Sequence, residues 1–289
     1  MDGRELLDAI VAHPDDDDAR LVYADWLEAQ GDTRGELIQL QVQLARLAAD
    51  DPKRADLEAR VELIDALHAK DWLADLWALS LPQTKFGFRR GFVETIATSM
   101  SVATTRADDL LARAPLLSVL ELFVEGQRER MALADPASTR LLARATELTI
   151  YGRRAGNTWM RRGPIARLDR LAATPFTRLR SLRLASLRVR PGALGRFLAS
   201  PHLATLEVLA LDLALESAGA LAGVFASPAC PRLRVLDLAG TWLHDDALAW
   251  LAGWSFLDQL EVLDLSRGNV SADRARPIAL RHRHLRVMT

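Results

Sequence analysis

The stretch Leu233-Arg234-Val235-Leu236-Asp237-Leu238 decides the fold, because the sequence repeats its pattern at a fixed distance. The same L-x-x-L-x-L pattern begins 27 residues later at Leu260, 27 residues earlier at Leu206, and 27 residues before that at Leu179. A constant period of this length is typical of stacked repeat proteins, in which neighbouring units share one core. The pattern therefore predicts an extended array with a broad surface suited to binding another macromolecule.

Each unit is predicted to contain a short β-strand, a turn and an α-helix. Alternate residues of a strand point to opposite faces, so positions such as Leu236 and Leu238 are expected in the core. The third, fifth and seventh positions are expected on the exposed concave sheet. The helices need N-caps, and suitable residues stand at Ser217, Asp245 or Asp246, and Ser271. The predicted fold class is α/β, a solenoid with parallel strands on the concave face and helices on the convex face.

These units resemble the leucine-rich repeat of the ribonuclease-inhibitor-like class. Two further units match less strictly, beginning at Leu117 and Ala145, and residues 86–289 are predicted to hold about six to eight repeats. Members of that class tie neighbouring repeats together with an asparagine. The equivalent positions here hold other residues, namely Leu187, Ala214, Thr241 and Gly268. Only Thr241 can make a similar hydrogen bond, so stacking is expected to depend mainly on leucine packing.

Residues 1–85 are predicted to form a separate helical unit. Apolar residues at helical spacing indicate helices over 5–11, 19–29 and 35–47, and a fourth after Pro52. The YADWLE core at 23–28, the Gly-Asp turn after it and the E-L-I-Q-L-Q helix start at 36–41 resemble the "repeat-companion" domain of myxobacterial and planctomycete leucine-rich-repeat proteins. The resemblance implies no known activity; it implies that a repeat array follows. Two interpretations of Tyr23, Asp25 and Trp26 stay open, a polar–aromatic pocket or rings packed in the core.

The net charge of −1 hides a division between the two predicted units. Residues 1–85 carry 9 Lys or Arg and 19 Asp or Glu, a net charge of −10, whereas residues 86–289 carry 28 arginines and 19 acidic residues, a net charge of +9. Such asymmetry favours two separately organised units. The single cysteine excludes an intrachain disulfide, and neither a signal peptide nor a spanning helix is expected. The predicted location is the cytoplasm.

The concave sheet is the first candidate binding surface. Its exposed positions include two neighbouring aromatic residues and a strip of valines flanked by charge. The predicted contact residues are Glu121, Phe123, Tyr151, Arg183, Val208, Val235, Asp237, Val262 and Asp264. Exposed apolar surface rimmed by charge is typical of an interface. Valine is also simply a good strand former, so both interpretations of the strip stay open.

An arginine-rich segment is the second candidate. The unit from Leu148 to Leu182 is 34 residues long rather than 27, and its additional residues are expected to form a loop. Loops that project from a regular scaffold commonly carry function. The candidate residues of this basic loop are Arg153, Arg154, Trp159, Arg161 and Arg162. They suit an acidic protein partner. The alternatives are nucleic acid bound through residues 153–196 and a merely solvated arginine-rich face.

The sequence contains no recognised catalytic or cofactor-binding motif, so no enzyme activity, cofactor or metal site is predicted. Cys230 has no histidine placed by a motif and is expected to be buried. The four aspartates at 15–18 lack the spacing of a calcium loop, which favours a solvated helix start. His282 and His284 are too few for a zinc site and are expected in a basic capping strand. The predicted function is protein–protein recognition by an adaptor, with a regulatory subunit of an enzyme complex as the further alternative.

Overall fold

The computed structural model describes the chain in segments separated by gaps. The described residues are 2–124, 138–152, 168–187, 189, 191–213, 215, 217–226 and 228–289. The chain divides into two compact units. The first comprises Met1–Ile96 and Asp108–Leu117, and the second comprises Ala97–Ala107 and Ser118–Thr289. The first unit therefore extends beyond residue 85.

Helices come first in the chain and are followed by a hairpin. The order is α1 (Gly3–Ala12), α2 (Asp17–Ala29), α3 (Arg34–Arg46), α4 (Arg54–Trp72), α5 (Ala74–Trp77), β1 (Lys85–Arg89) and β2 (Phe92–Ser99). Two short helices follow, α6 (Met100–Thr105) and α7 (Ala107–Arg113). They lead to the next strand, β3 (Val119–Val124).

Strands and helices alternate through the rest of the chain. The described elements are α8 (Ser138–Ala143), β4 (Glu147–Gly152), α9 (Leu168–Leu171), β5 (Ser181–Ala185), α10 (Pro191–Leu198), β6 (Val208–Asp212), α11 (Ala218–Phe225), β7 (Val235–Asp237), α12 (Asp245–Gly253), β8 (Val262–Asp264), α13 (Ala272–Arg281) and β9 (Arg286–Met288). Within the described segments, nine strands form one sheet in chain order. The pairs from β3 to β9 are parallel, which confirms a mixed α/β architecture.

The first two helices begin where the sequence supplies an N-cap. Asp2 accepts hydrogen bonds from the amides of Arg4 and Glu5, and the Glu5 side chain accepts one from the Asp2 amide, which completes a capping box. Asp16 caps α2 by accepting from the amide of Asp18 at 2.9 Å. The aspartates of this segment thus form a helix start, where negative charge also suits the helix dipole.

The core of the first unit is built from α1, α2, α3, β2 and the connection that follows α7. Its buried members are Ile10, Ala24, Leu27, Ile38, Val42, Phe92 and Leu116. Tyr23 and Trp26 pack against this core, and their rings stack with centroids 5.8 Å apart. Gly3 lies so close to the Trp26 indole that a side chain there would clash. These contacts favour core packing over a polar pocket for the two aromatic residues.

The second unit brings the 27-residue repeat into register. Leu182, Leu209, Leu236 and Leu263 are paired across β5, β6, β7 and β8. The twelve repeat leucines are each no more than 1% exposed, which confirms their predicted burial: Leu179, Leu182, Leu184, Leu206, Leu209, Leu211, Leu233, Leu236, Leu238, Leu260, Leu263 and Leu265. Each buried leucine side chain stabilises a fold by about 1.5–3 kcal/mol, so these columns contribute a large part of the core of the unit.

A main-chain arrangement recurs at the start of successive strands. The carbonyl oxygen that precedes one strand accepts two amide hydrogen bonds from the beginning of the next. Arg180, for example, accepts from Glu207 and Val208 at 2.8 and 2.9 Å. The carbonyl oxygens of Thr146, Glu207 and Arg234 do the same. Parallel pairing is therefore renewed at every repeat by backbone atoms alone.

Helices α10 to α13 pack against one another in chain order. Two predicted N-caps are confirmed. Ser217 Oγ accepts from the amide of Ala220 at 3.2 Å, and Ser271 Oγ accepts from the amide of Arg274 at 3.5 Å. Each serine satisfies an amide that the first helical turn leaves without an intrahelical acceptor.

The predicted capping of α12 by Asp245 or Asp246 is wrong. The helix begins at Asp245, and its N-cap is His244, which makes no side-chain capping bond. The two carboxylates face neighbouring helices instead. Asp246 accepts from the amide of Ala218 at 3.0 Å, and Asp245 pairs with Arg274 at 2.7 Å. Both aspartates therefore link adjacent repeats.

Two polar side chains tie neighbouring repeats together. Thr241 is buried and donates its hydroxyl to the carbonyl oxygen of Leu211 at 3.2 Å, as its position predicts. Asn269 exchanges hydrogen bonds with the backbone of Leu243 in both directions, at 2.8 and 3.0 Å. It stands one residue after the position where the repeat pattern places asparagine. Gly268 occupies that position and lies against the carbonyl oxygen of Thr241, where no side chain fits.

Candidate functional site

The outer face of the sheet in the second unit carries an apolar strip. Val208, Val235 and Val262 are paired in register on β6, β7 and β8, and each is partly exposed. Neighbouring strands lie about 4.8 Å apart, so the three side chains form a continuous surface. The structure thus brings three of the predicted contact residues together.

A salt bridge lies in the next column of the same face. Arg183 Nη2 on β5 contacts Asp237 Oδ2 on β7 at 3.0 Å. The residue between them in the register is Ala210, whose small buried side chain leaves room for the guanidinium to cross β6. The Arg183 side chain is 48% exposed. Ion pairs this exposed stabilise a fold by only about 0–1 kcal/mol, and the arginine stays accessible to a partner.

Two carboxylates are held in fixed orientations where β7 and β8 end. Asp237 Oδ1 accepts from the amide of Ala239, and Asp264 Oδ1 accepts from the amide of Ser266, both at 2.8 Å. The two aspartates are paired in register, so their negative charges lie side by side. Arg183 compensates the charge of Asp237, and the carboxylate of Asp264 can meet a cationic group of a partner.

The aromatic residues Phe123 and Tyr151 differ from the prediction in their exposure to solvent. Phe123 is only 5% exposed, so its predicted exposure to solvent is wrong. The strict alternation of faces is lost where β3 ends, because its last three residues are all buried. The Phe123 ring packs beside Tyr151 with centroids 6.1 Å apart. Tyr151 stays partly exposed and Glu121 is exposed, so these two remain available to a partner.

The second predicted site, the basic loop, lies outside the described residues. Its candidates are Arg153, Arg154, Trp159, Arg161 and Arg162. Binding of an acidic protein or of nucleic acid at this loop therefore stays a prediction.

Trp242 is an aromatic candidate that the repeat pattern does not indicate. It lies in the loop between β7 and α12 and is 65% exposed. Thr241 and Leu243 on either side are buried, so the indole is the part of this loop that faces solvent. Exposed tryptophan is uncommon on ordinary surfaces and enriched at interfaces. In the sequence, the only indication of this candidate is a tryptophan at a position that the leucine pattern does not occupy.

The first unit encloses a hairpin turn that the sequence pattern also left unassigned. Arg90 and Gly91 join β1 to β2 with φ values of 49° and 79°, as a type I′ turn requires. Side chains of the helices bind its backbone. Arg20 donates to the carbonyl oxygen of Arg90 at 3.3 Å, Arg34 donates to that of Gly91 at 3.0 Å, and Gln41 accepts from the Gly91 amide at 2.7 Å.

A buried ion pair supports this turn. Arg20 is 0% exposed, and its Nη2 lies 2.6 Å from Glu94 Oε1. The guanidinium groups of Arg20 and Arg34 lie 5.0 and 5.4 Å from the centroid of the Phe92 ring. Desolvation lowers the pKa of Arg20, and the Glu94 carboxylate acts in the opposite direction. The residues that resemble the repeat-companion domain therefore serve to hold a hairpin of the same unit.

The remaining candidates occupy structural positions. Cys230 is buried, and desolvation raises the pKa of its thiol to about 12, which disfavours the reactive thiolate. His282 is buried and contacts an acceptor with each ring nitrogen, Asp258 Oδ1 at 2.9 Å and the carbonyl oxygen of Ala252 at 3.3 Å. It therefore joins α13 to the preceding repeat, while His284 contacts the carbonyl oxygen of Leu257 at 3.3 Å. Both histidines precede β9 (Arg286–Met288), so the prediction that they lie in a capping strand is wrong.

Among the described residues, no group of three or more His, Cys, Asp or Glu side chains is arranged to hold a metal ion. In the same part of the chain, none of the helices combines the length and apolar character needed to cross a membrane.

No protein-family model and no curated protein matches this sequence. The resemblances to the leucine-rich repeat and to the repeat-companion domain therefore stay proposals.

Proposed function

We propose that the second unit is a leucine-rich-repeat solenoid and that the chain is a non-catalytic adaptor, which binds another protein through the outer face of its sheet. The parallel strands that recur every 27 residues with leucines in register support the fold. Units of this kind bury a core only by stacking on one another, and the stacked strands provide an extended binding surface.

One observation carries the functional proposal: the valine strip lies beside an oriented charge pair. Val208, Val235 and Val262 supply continuous apolar area, and the Arg183–Asp237 salt bridge lies in the adjacent column. Apolar surface supplies binding energy, while charges arranged around it set the orientation and selectivity of a partner. The combination supports recognition of a protein rather than of a small molecule, because the surface is broad.

Aromatic residues extend the surface beyond the strip. Tyr151 and Trp242 are at least partly exposed, and side chains of these two types carry much of the binding energy in many interfaces. An acidic segment of the same partner is proposed to contact the basic loop at residues 153–162. Arg183 and Asp264 then favour a partner whose contacting surface carries both an acidic and a basic side chain.

Affinity capture with matched variants tests the sheet face. Val235→Lys places an ammonium group in the middle of the strip, and Ala249→Lys places the same group on the exposed side of α12 as the control. We expect the wild type and the control to capture the same protein after nuclease treatment. Val235→Lys should lose that protein, since an unpaired ammonium group is costly to bury. Equal capture by a folded Val235→Lys chain would contradict the proposal.

The same experiment separates the alternative functions. If capture depends on nucleic acid, nuclease treatment abolishes it, and reversal of charge at Arg153, Arg154, Arg161 and Arg162 does the same. Binding of that kind also weakens steeply with salt. If the captured protein is an enzyme whose rate changes on binding, the chain is a regulatory subunit.

A further inference from the structure

The outward side of α4 is an apolar helix face that stays exposed. Leu63 and Leu67 stand one turn apart on this helix and are 48% and 64% exposed. Ile64 marks the inward side, because it is buried. Ala66 lies about 160° around the helix from it, since each residue turns the helix by about 100°. Ala59 and Ala66 are exposed as well. The outward side therefore carries leucine and alanine where a surface helix normally carries polar residues.

The outward residues follow the spacing of a helix-pairing seam. Ala59, Leu63, Ala66 and Lys70 are separated by four, three and four residues, which is the a/d pattern of helices that pack side by side. Three of the four are apolar, and the lysine has a long aliphatic stem that can lie along apolar surface. Burial of such a seam against a second helix removes its apolar surface from water. The pattern therefore indicates a helical occupant.

A groove lies beside the leucines, at the end of α4 and along α5. Its volume is about 670 Å³, and apolar atoms supply most of its lining surface. Four of the lining residues, Ala66, Ala69, Lys70 and Leu73, stand at positions i, i+3, i+4 and i+7. A set with this spacing forms the hole that accepts one side chain of a facing helix. The exposed face thus combines protruding leucines with a hole next to them.

The charged residues that line the groove are compatible with an apolar occupant. Asp65 Oδ1 is shielded from solvent and accepts no hydrogen bond from the described residues. Asp65 also stands two residues from each exposed leucine, about 160° around the helix. Lys70 and Asp71 are exposed, so their charged ends can stay in water while a side chain enters between them.

Charge indicates the direction of the occupant. Glu62 and Lys70 are both exposed and stand four residues before and four after Ala66. If a second copy of α4 runs antiparallel and crosses at Ala66, Glu62 of each copy lies opposite Lys70 of the other. The same register places Leu63 of each copy opposite Ala69 of the other, which is part of the hole. A parallel pair in register would bring like charges together, which is unfavourable. The hole and the charges therefore agree on one antiparallel register.

We propose that this face binds a second copy of the chain, with the two α4 helices antiparallel about a two-fold axis at Ala66. A two-fold contact uses the same surface twice. Each copy therefore supplies one Leu63 side chain and one hole, and two Glu62–Lys70 pairs form together. The small side chain of Ala66 lets the helices approach closely where they cross.

Self-association goes beyond the adaptor function proposed for the sheet and does not depend on it. The α4 face belongs to the first unit, whereas the valine strip belongs to the second. A dimer presents two sheet faces at once. It therefore binds a partner that carries two copies of the recognised surface more tightly than one chain does, through effective concentration.

Disulfide cross-linking of the full chain tests the register. Ala66→Cys places a thiol at the two-fold axis, so mild oxidation should link two copies. Ala55→Cys is the control at an exposed position of the same helix, eleven residues earlier. In the antiparallel register its two copies are about 33 Å apart, since a helix rises about 1.5 Å per residue, and it should stay monomeric. Cys230 is buried and should not contribute.

Sedimentation equilibrium over a series of concentrations measures the strength of the contact. The wild type should form a dimer, and so should Val22→Lys, which changes an equally exposed apolar residue on α2. Leu63→Lys should raise the Kd by about a hundredfold, because it buries two unpaired ammonium groups at the interface. The buffer contains about 0.15 M salt, which screens the net charge of the first unit beyond about 8 Å.

Charge exchange tests the pairing of Glu62 with Lys70. Glu62→Lys and Lys70→Glu should each weaken the dimer by about tenfold, because each brings like charges together twice. An equimolar mixture of the two variants should associate about as tightly as the wild type, since every pair across the axis is again of opposite sign. Circular dichroism confirms that each variant is folded.

Several results would overturn the proposal. They are a wild type that stays monomeric at every concentration, an unchanged Kd for folded Leu63→Lys, and a mixture no tighter than its separate components. Equal weakening by Val22→Lys and Leu63→Lys would place the contact elsewhere, and cross-linking of Ala55→Cys as fast as Ala66→Cys would exclude the antiparallel register. The capture experiment on the sheet stays independent, since Val235→Lys lies in the other unit.

Discussion

The two compact units differ in how often their stabilising contacts recur along the chain. In the first unit, the decisive interactions occur once, as in the buried Arg20–Glu94 ion pair and the hydrogen bonds to the turn at Arg90 and Gly91. In the second unit, the same contacts recur in register along the sheet. A contact that occurs once has no substitute nearby, whereas a repeated contact is shared with neighbours. The first unit is therefore expected to be the more sensitive to a single polar substitution.

Arg20→Met gives the largest expected effect. It leaves the buried Glu94 carboxylate with only its longer contact to Arg90 Nη2 at 3.4 Å, which should lower the free energy of unfolding of the first unit by up to about 3–5 kcal/mol. Adding Glu94→Leu should recover most of the loss, because no buried charge remains. Urea unfolding followed by tryptophan fluorescence measures both changes.

Arg46→Met is the matched control for this comparison. Arg46 pairs with Asp17 and Asp18 but its side chain is largely exposed, so the expected cost is about 0–1 kcal/mol. Equal effects of Arg20→Met and Arg46→Met would remove the contrast between the buried contact and the surface contact.

Leu209→Ala tests the second unit at its leucine column. The lost side chain leaves a cavity between β5, β6 and β7, with an expected cost of about 2–5 kcal/mol. Cys230 provides a probe of this unit alone, because burial and a thiol pKa of about 12 protect it from alkylation until the structure opens. Val208→Ala on the outer face of the same strand should cost about 1 kcal/mol or less. Alkylation of Leu209→Ala at the wild-type rate in urea would show that the leucine columns are not the source of stability.

Gly268→Ala tests whether the loops of the second unit are closely stacked. A methyl group there meets the carbonyl oxygen of Thr241, so the loop has to shift at an expected cost of about 1–3 kcal/mol. Gly253→Ala is the control, since a methyl group at that position has no neighbour within 4 Å. Thermal unfolding followed by circular dichroism distinguishes the two; a stable Gly268→Ala chain would mean that the loops are not closely stacked.

Asp65→Asn gives the smallest expected effect, and this substitution is expected to stabilise the chain, whereas the others destabilise it. Burial raises the Asp65 pKa above its ordinary value of 3.8, so the folded chain binds this proton more tightly than the unfolded chain. The free energy of unfolding therefore decreases as pH rises from 3.8 through the raised pKa. The variant should show a slightly higher Tm at pH 7, and the difference should vanish below pH 3.8. Scanning fluorimetry across that range checks this, and a lower Tm at pH 7 would contradict it.

The sequence predicts the second unit far better than the first. The 27-residue spacing places leucines such as Leu236 in the core and valines such as Val235 on the outer face, because strand periodicity is a local property. Local patterns carry no information on Glu94 as the partner of Arg20, which stands 74 residues earlier. They also fail for Phe123, because alternation ends with the strand. What the sequence leaves undetermined is thus the long-range contact and the irregular strand end.

The site follows the same division. The valine strip is placed by the period, whereas the Arg183–Asp237 salt bridge crosses β6 and depends on a small residue at Ala210. Neither Trp242 nor Asp65 follows the period, because the exposure of the indole and the shielding of the carboxylate oxygen depend on the folded structure.

The shared carbonyl acceptors of Arg180, Glu207 and Arg234 stand 27 residues apart and mark out modules of equal length. Excision of residues 207–233 removes 27 residues, and the amides of Arg234 and Val235 then meet the oxygen of Arg180, which is otherwise bonded to Glu207 and Val208. In a protein one module shorter, β7 then pairs with β5 in place of β6, while β8 and β9 keep their partners. Duplication of such a segment lengthens the protein by the same rule. Evolution can therefore resize this part of the chain in whole modules, while the first unit, with its unrepeated contacts, has to be inherited intact.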